Sequence, residues 1–374
     1  MLVAWSWGTT DNTAQTMRDA EIGIRWFTAS GQNPLSGMAQ HTRLLAASLS
    51  DQGIRIIVEE VPRLADAAAA EAWTETLTTR WTAERPTAGV HIDLNGLGGR
   101  ATFSACLRAR IHSTISYHAT HRYSDQAIPK LLSAELAWLV RGHTLVALNR
   151  GDGALLAAAG APRVCVMPHG VDRGRFRPEL RSPELRAAWG AAPGAPVLLW
   201  CGRLSPEKGL ETFITAARAA VQQRAETRVV VVGEGPLRPA AHEALPNAIF
   251  CGQLTGDDLP RAMASADVLA FTSLVDTWGQ VVGEAMASGI AVVAFDRAAA
   301  GTLIRDGIDG VLRPTGDREC LIAACTGLLA DSERYATLGT SARERSAGWS
   351  WARVAEQWIT LWRASGVLPR VGHA

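Results

Sequence analysis

Hydrophobic positions along this chain fall into short continuous runs, separated by longer stretches in which they recur every three or four residues. The runs suit strands buried on both faces, and the stretches suit amphipathic helices. Strands are predicted at Gly23 to Ala29, Ile54 to Glu59, Val90 to Leu94, Ser113 to Tyr117, Thr144 to Leu148 and Arg163 to Met167. One predicted helix carries Met38, Leu44, Leu45 and Leu49 on one side; others cover Ala67 to Arg85 and Leu131 to Val140. Pro168-His169-Gly170-Val171-Asp172 breaks the rhythm, and Phe176-Arg177-Pro178 leads into a linker. From Pro196 a second series begins, with strands at Val197 to Cys201, Arg228 to Val232, Ala248 to Cys251, Val268 to Phe271 and Ala291 to Phe295. Residues 1–21 carry no clear period and read as an extension. The fold class is α/β: two similar halves, each a Rossmann-like, doubly wound parallel sheet.

The most informative stretch is SLVDTWGQVVGEAMASGIAVVAF, residues 273–295. Asp276 lies in a loop that turns at Trp278-Gly279. From Gln280, the positions Val281, Val282, Ala285 and Met286 keep helical spacing, which puts Glu284 on the early turns. Gly289 sits where a left-handed residue would stop the helix. A helix start offers open N–H groups to an anion, and a carboxylate one turn on can accept from two hydroxyls. A nucleotide fits that pair: phosphate at the turn, ribose at Glu284. A surface helix with solvated acids has the same pattern, because helix starts favour acids in any case.

Ligands of such sheets bind beyond the carboxyl ends of the strands, and two facing halves make a cleft there. Several predicted strand ends carry polar residues: Ser36-Gly37, His118, Arg203, Lys208, Gly233-Glu234-Gly235, Asp276 and Glu284. Taken singly, Arg203 and Lys208 also read as surface ion pairs with Glu207 or Glu211.

A length of 374 residues implies two or three domains, and 47% hydrophobic with 20% charged residues is a globular composition. The net charge of +1 argues against a nucleic-acid partner. Six cysteines without paired metal spacing read as reduced core residues of a cytoplasmic protein. No apolar stretch reaches membrane-spanning length, no basic leader precedes the first apolar patch, and no basic amphipathic stretch suggests a membrane surface.

The segments MPHGVDRGRF (167–176), CGRLSPEKGLETFITAA (201–217), VVVVGEGP (229–236), IFCGQL (249–254), DTWGQVVGEAMASGIAVVAF (276–295) and GWSWARVAEQW (348–358) together resemble the retaining glycosyltransferases of family 4. The resemblance covers nearly all of residues 165 to 360 in order, and is looser before them. It implies a GT-B architecture, with residues 22–178 plus 350–374 forming an acceptor-side domain and 179–349 a domain for the nucleotide sugar. The implied activity is transfer of a hexose-type sugar from a nucleotide diphosphate to an acceptor hydroxyl without a metal or other cofactor. By the same resemblance Arg203 and Lys208 grip the donor diphosphate, Glu284 holds the ribose and Asp276 contacts the transferred sugar. His118 lies beside the reacting carbon, and Gly37 approaches the diphosphate from the other domain. Gly233, Leu254, Gly279, Gln280 and Val281 complete the expected donor site. The partners implied are a UDP-, GDP- or other nucleotide-linked sugar and a small-molecule or glycan acceptor. The arginine- and alanine-rich composition suits a high-GC bacterium and a natural-product or glycoconjugate pathway.

Three departures stand out: Asp276 where the family has glutamate, Trp278 where it has phenylalanine, and Ser36 where it has a first glycine. Aspartate sets its carboxylate back by about 1–1.5 Å on an unchanged backbone. That bears on the sugar's identity more than on the reaction. A sugar-nucleotide epimerase, a phosphorylase on the same fold, and a non-catalytic sugar-nucleotide binder are the alternatives.

Other signals carry less. Gly96-Leu97-Gly98-Gly99-Arg100-Ala101 follows a strand like a dinucleotide fingerprint but lacks the later acid. His118, His121 and Asp125 have no second ligand cluster to make a metal site. His169 reads as shaping the turn before the linker. Of the 13 tryptophans, Trp351, Trp358 and Trp362 share one side of a helix, whereas Trp278 lies inside the donor motif and is the one expected to serve the site.

Overall fold

The structure, a computed structural model, describes residues 23–28, 37–84, 89–94, 96–117, 144–158 and 160–369. Two six-stranded sheets account for the strands among them. The first runs β2-β1-β3-β4-β5-β6, with β1 at Gly23–Thr28, β2 at Arg55–Glu60, β3 at Gly89–Leu94, β4 at Ser113–Tyr117, β5 at Thr144–Ala147 and β6 at Val164–Val166. The second runs β12-β11-β10-β7-β8-β9, with β7 at Val197–Cys201, β8 at Arg228–Val232, β9 at Ile249–Gly252, β10 at Val268–Phe271, β11 at Ala291–Phe295 and β12 at Val311–Arg313. Every pairing is parallel. Both are Rossmann-like, as the alternation of runs and helical stretches implies.

Alternate residues of the second sheet feed opposite cores, as a period of two requires. Val197, Leu199, Val230, Val232, Leu269 and Phe271 pack on one face. Leu198, Trp200, Val229, Val231, Val268 and Ala270 pack on the other. Both faces are covered by helices, which is why these strands read as unbroken apolar runs. Each large side chain so removed from water contributes on the order of 1.5–3 kcal/mol.

The last long helix, Trp351–Ala364, returns to the first sheet. Its Trp358 and Trp362 are buried with Ile24 and Trp26 of β1 and with Leu45 and Leu49 of the helix Gly37–Asp51. Val171 of the linker bridges to Ser350, so the crossover is stitched where it begins.

Two local differences from the sequence reading have simple causes. Residues Gly96–Arg108 form a helix, not a phosphate loop. Gly98 is there because the helix packs against Val61 and the Pro62 carbonyl, where a Cβ would collide. The six cysteines are all free, but of the expected core residues only Cys106 and Cys325 are buried; Cys165, Cys201 and Cys251 are half-buried and Cys320 is exposed. It falls off the inward stripe of its helix, which is carried by Leu321, Cys325 and Leu328.

Gly233, at the end of β8, has φ +132, and a Cβ there would run into the Gly202 carbonyl. The loops after β7 and β8 therefore touch backbone to backbone. Gly233→Ala is expected to cost at least about 1–3 kcal/mol, read as a lower urea midpoint with an unchanged slope.

Candidate active site

Strand order in the second sheet reverses between β7 and β10, so the loops leaving these two strands diverge and open a crevice. The strands end level, with Cys201 paired to Val232 and Leu199 to Leu269. In that crevice lies a cavity lined by Cys201, Gly202, Lys208, Thr272, Ser273, Asp276, Gly279, Gln280 and Val281, among others. Its volume is about 110 Å³. That admits a phosphate-sized group, whereas whole small-molecule sites span about 300–1,000 Å³. The cavity is thus the floor of a site whose remainder is open.

Lys208 reaches it through a short turn. The chain leaves β7, forms a single 3-10 turn at Pro206–Lys208 and enters the helix Leu210–Gln223 through Gly209, which has φ +73. A side chain at Gly209 would strike the Thr272 carbonyl. The close approach lets the Thr272 hydroxyl donate to the carbonyls of Gly209 (2.9 Å) and Lys208 (3.2 Å). The lysine is thereby tied to the end of β10. Its Nζ meets Asp276 Oδ1 at 2.6 Å, and both side chains remain about a quarter exposed, at 28% and 23%. The ion pair proposed by spacing alone, to Glu207 or Glu211, is replaced by one across the crevice.

The helix Gln280–Ala287 starts from Gly279, left-handed at φ +62, with no side chain capping it. Its first backbone bond runs from Val282 N to Gly279 O at 2.8 Å. The N–H groups of Gln280 and Val281 precede the ladder, and both residues line the cavity. The positive end of the helix dipole points the same way.

Glu284 lies one turn further in and is only 5% exposed. Burial pushes its carboxyl up to about 8, against the attraction of Arg175 and a hydrogen bond from Gln280. Burial raises the neighbouring Cys201 thiol too, and the charge of Glu284 adds to it. The Gln280 amide also donates to Gly170 O of the linker at 3.3 Å.

The expected site residues thus divide. Lys208, Asp276, Gly279, Gln280 and Val281 come together around one cavity, and Glu284 is buried further along the helix that starts there. Arg203 is exposed just past the cavity-lining Gly202; its carbonyl accepts from Ser205 N at 3.0 Å, and its guanidinium makes no hydrogen bond or ion pair to another described residue. Gly233 packs against Gly202, and Leu254 packs on the apolar core of the second sheet; neither lines the cavity. Gly37 is the first residue of its helix. His118 lies outside the described residues, as do Ser36, His121, Asp125, the helix expected at 131–140 and the extension 1–21. Trp278 is 4% exposed and does not line the cavity. It packs against His169 at 5.6 Å and Trp349 at 6.3 Å between ring centroids. His169 in turn stacks on His41 at 3.7 Å, so it links the helix Gly37–Asp51 to the loop before Gln280 rather than only shaping a turn.

Sequence reasoning missed Cys201, Gly202, Thr272 and Ser273. Their position at the ends of β7 and β10 was the available signal. Among the described residues, no group of three or more His, Cys, Asp or Glu is arranged to hold a metal ion, and no helix is long and apolar enough to cross a membrane.

Residues 195–331 match the family model described as Glycosyl transferases group 1. The GDP-mannose-dependent alpha-mannosyltransferase of Mycobacterium tuberculosis is 35% identical over 247 residues, which is 64% of this chain and 63% of that protein. The D-inositol 3-phosphate glycosyltransferase of Nocardia farcinica is 32% identical over 236 residues, 58% of this chain and 51% of that one. The chain thus spans less than two thirds of either relative's length. Among solved structures, Anabaena HepE in complex with UDP and glucose superposes with a TM-score of 0.72 at 19% identity, over 92% of this chain and 100% of that chain. At that identity the likeness is one of fold.

Proposed function

We propose, from the premise that this chain belongs to the group 1, family 4 glycosyltransferases of GT-B fold, that it transfers a hexose from a nucleoside-diphosphate sugar to an acceptor hydroxyl with retention. The observation that carries this reading is the sharing of one crevice by Lys208 and an open helix start, with Glu284 buried one turn further along that helix. Transfer breaks the bond between the sugar's C1 and the diphosphate oxygen, which keeps the electron pair. Lys208 and the Gln280 and Val281 N–H groups stabilise that charge in place. Arg203, exposed at the rim, can swing in to fork onto two phosphate oxygens. The acceptor oxygen bonds to C1 on the face the diphosphate leaves, and its proton passes to a donor phosphate oxygen. In this reading the protein's cations take the place of a metal, and Glu284 accepts from the ribose hydroxyls.

The mycobacterial relative is named for GDP-mannose and an alpha product. GDP-mannose carries its sugar α-linked, so an α product means retention. GDP-mannose is therefore the first donor to test, ahead of UDP-glucose. A cytoplasmic setting suits the six free cysteines.

The test is incubation of purified protein with each donor and a panel of polyol and glycan acceptors, in the presence of EDTA. Mass spectrometry should show acceptors heavier by one hexose, and NMR an α linkage. Isomerised donor would indicate an epimerase. Cleavage dependent on added phosphate would indicate a phosphorylase. Tight nucleotide binding with no transfer would indicate a binding protein.

A further inference from the structure

The loop that carries Asp276 and Gly279 is held from the opposite half of the molecule. Asn149, fully buried, follows β5 of the first sheet. Its Nδ2 donates to the Thr277 carbonyl at 2.9 Å and to Asp152 Oδ2 at 2.8 Å. Its Oδ1 accepts from the Asp152 N–H at 2.9 Å. Two acceptors at one end and a donor at the other fix the orientation of the amide. Asn149 is therefore both the N-cap of the helix Arg150–Ala158 and a clamp onto a loop 128 residues away. Beside it, Arg150 N donates to Thr302 Oγ1 at 3.1 Å. From its own half, the loop is held by the Lys208–Asp276 pair at 2.6 Å and by Ala299 N, which reaches the Asp276 carbonyl at 3.3 Å; Asn149 adds the tie from the other half.

We propose that Asn149 is a positioning residue of the donor site: its amide sets the height of the loop Asp276–Gly279 and so places the helix start and the Lys208–Asp276 pair against the diphosphate. This rests on the donor-site reading above. Neither Asn149 nor Thr277 lines the cavity, so the effect passes through the Thr277 backbone to its neighbours. Donor affinity then depends on how the two halves are seated.

Asn149→Ser separates the clamp from the cap. Serine is as good an N-cap as asparagine but is too short to donate to Thr277 O. Asn149→Asp is the second variant: it also caps, but presents a charge to the Thr277 carbonyl and to Asp152. The wild-type protein is titrated calorimetrically with GDP and with UDP, and the tighter nucleotide is carried forward. Failure of wild type to bind either would sink the donor-site reading itself. If wild type binds, Asn149→Ser should weaken the dissociation constant and raise the donor KM by about 5–20-fold, the effect of losing the hydrogen bond that reaches the donor loop, one of the two that Nδ2 makes. The acceptor KM should stay within twofold, while the melting temperature should fall by a few degrees, because the Thr277 carbonyl and Asp152 Oδ2 lose a buried donor. Asn149→Asp should weaken binding at least as much. Nucleotide affinity within twofold of wild type in whichever of the two variants folds would overturn the proposal. So would equal losses in donor and acceptor KM.

Discussion

Lys208→Ala is expected to lower kcat by about 10²–10³-fold, the usual cost of removing one preorganised group from a developing oxyanion. The cavity is small, and the lysine reaches it on a backbone fixed by the Thr272 hydroxyl. No solvent reorganisation is then needed when the leaving diphosphate gains charge. Stability should scarcely change. The partner left behind, Asp276, is 23% exposed and can be hydrated, and such a partly exposed pair contributes about 0–1 kcal/mol. Lys208→Arg should recover little, because a planar fork does not reproduce a point charge at the end of a short turn. Steady-state kinetics with saturating donor, alongside circular dichroism melts, checks both halves of the expectation. A variant that melts as wild type and still turns over at a tenth of its rate or better would remove Lys208 from the chemistry.

Glu284→Ala should be nearly as damaging, about 30–150-fold in kcat/KM, since on the proposed reading it deletes the acceptor of both ribose hydroxyls. Glu284→Gln gives the more telling comparison. The carboxyl sits at about 8 when folded, above its ordinary 4.5, so the folded protein holds a proton that the unfolded chain releases between those values. Its contribution to stability is complete below pH 4.5 and is lost as pH rises towards 8, by up to about 1.4 kcal/mol per unit. Melting temperatures should therefore fall from pH 5 to pH 8 in wild type and fall less in Glu284→Gln. Ribose hydroxyls prefer the ionised carboxylate, so nucleotide binding at pH 7 should release about one proton. Calorimetry in buffers of different ionisation enthalpy measures that release. A binding enthalpy independent of buffer would mean that Glu284 is not where the ribose goes.

Much of this architecture could be read before any coordinates. The sequence runs Val197 to Cys201, Arg228 to Val232, Val268 to Phe271 and Ala291 to Phe295 coincide with β7, β8, β10 and β11 because strands covered on both faces cannot alternate. Gly289 stops its helix with φ +72, as its place after the apolar stripe implies. The helix Gly96–Arg108 was hidden because its Gly98 serves packing, which in a sequence looks the same as a phosphate-loop glycine. The strand Val311–Arg313 is too short to show a period.

At the site, the limit is of another kind. Chemistry set by residue type was legible: a lysine near a strand end, acids on a helix start, glycines at turns. Chemistry set by tertiary approach was not. The 2.6 Å meeting of Lys208 with Asp276 joins positions 68 apart, and the Asn149 clamp joins positions 128 apart. The raised carboxyl of Glu284 depends on burial that a helical wheel does not reveal. Trp278, expected to serve the site from its place in the motif, is instead packed into the core of the second sheet, a burial that its sequence position does not reveal.

The most direct measurement is a crystal structure of the protein soaked with GDP, repeated with UDP. The account predicts the diphosphate within hydrogen-bond reach of Lys208 Nζ and the Gln280 and Val281 N–H groups, with both ribose hydroxyls on Glu284. Nucleotide bound in any other place, or in the same crevice with its ribose turned away from Glu284, would contradict it.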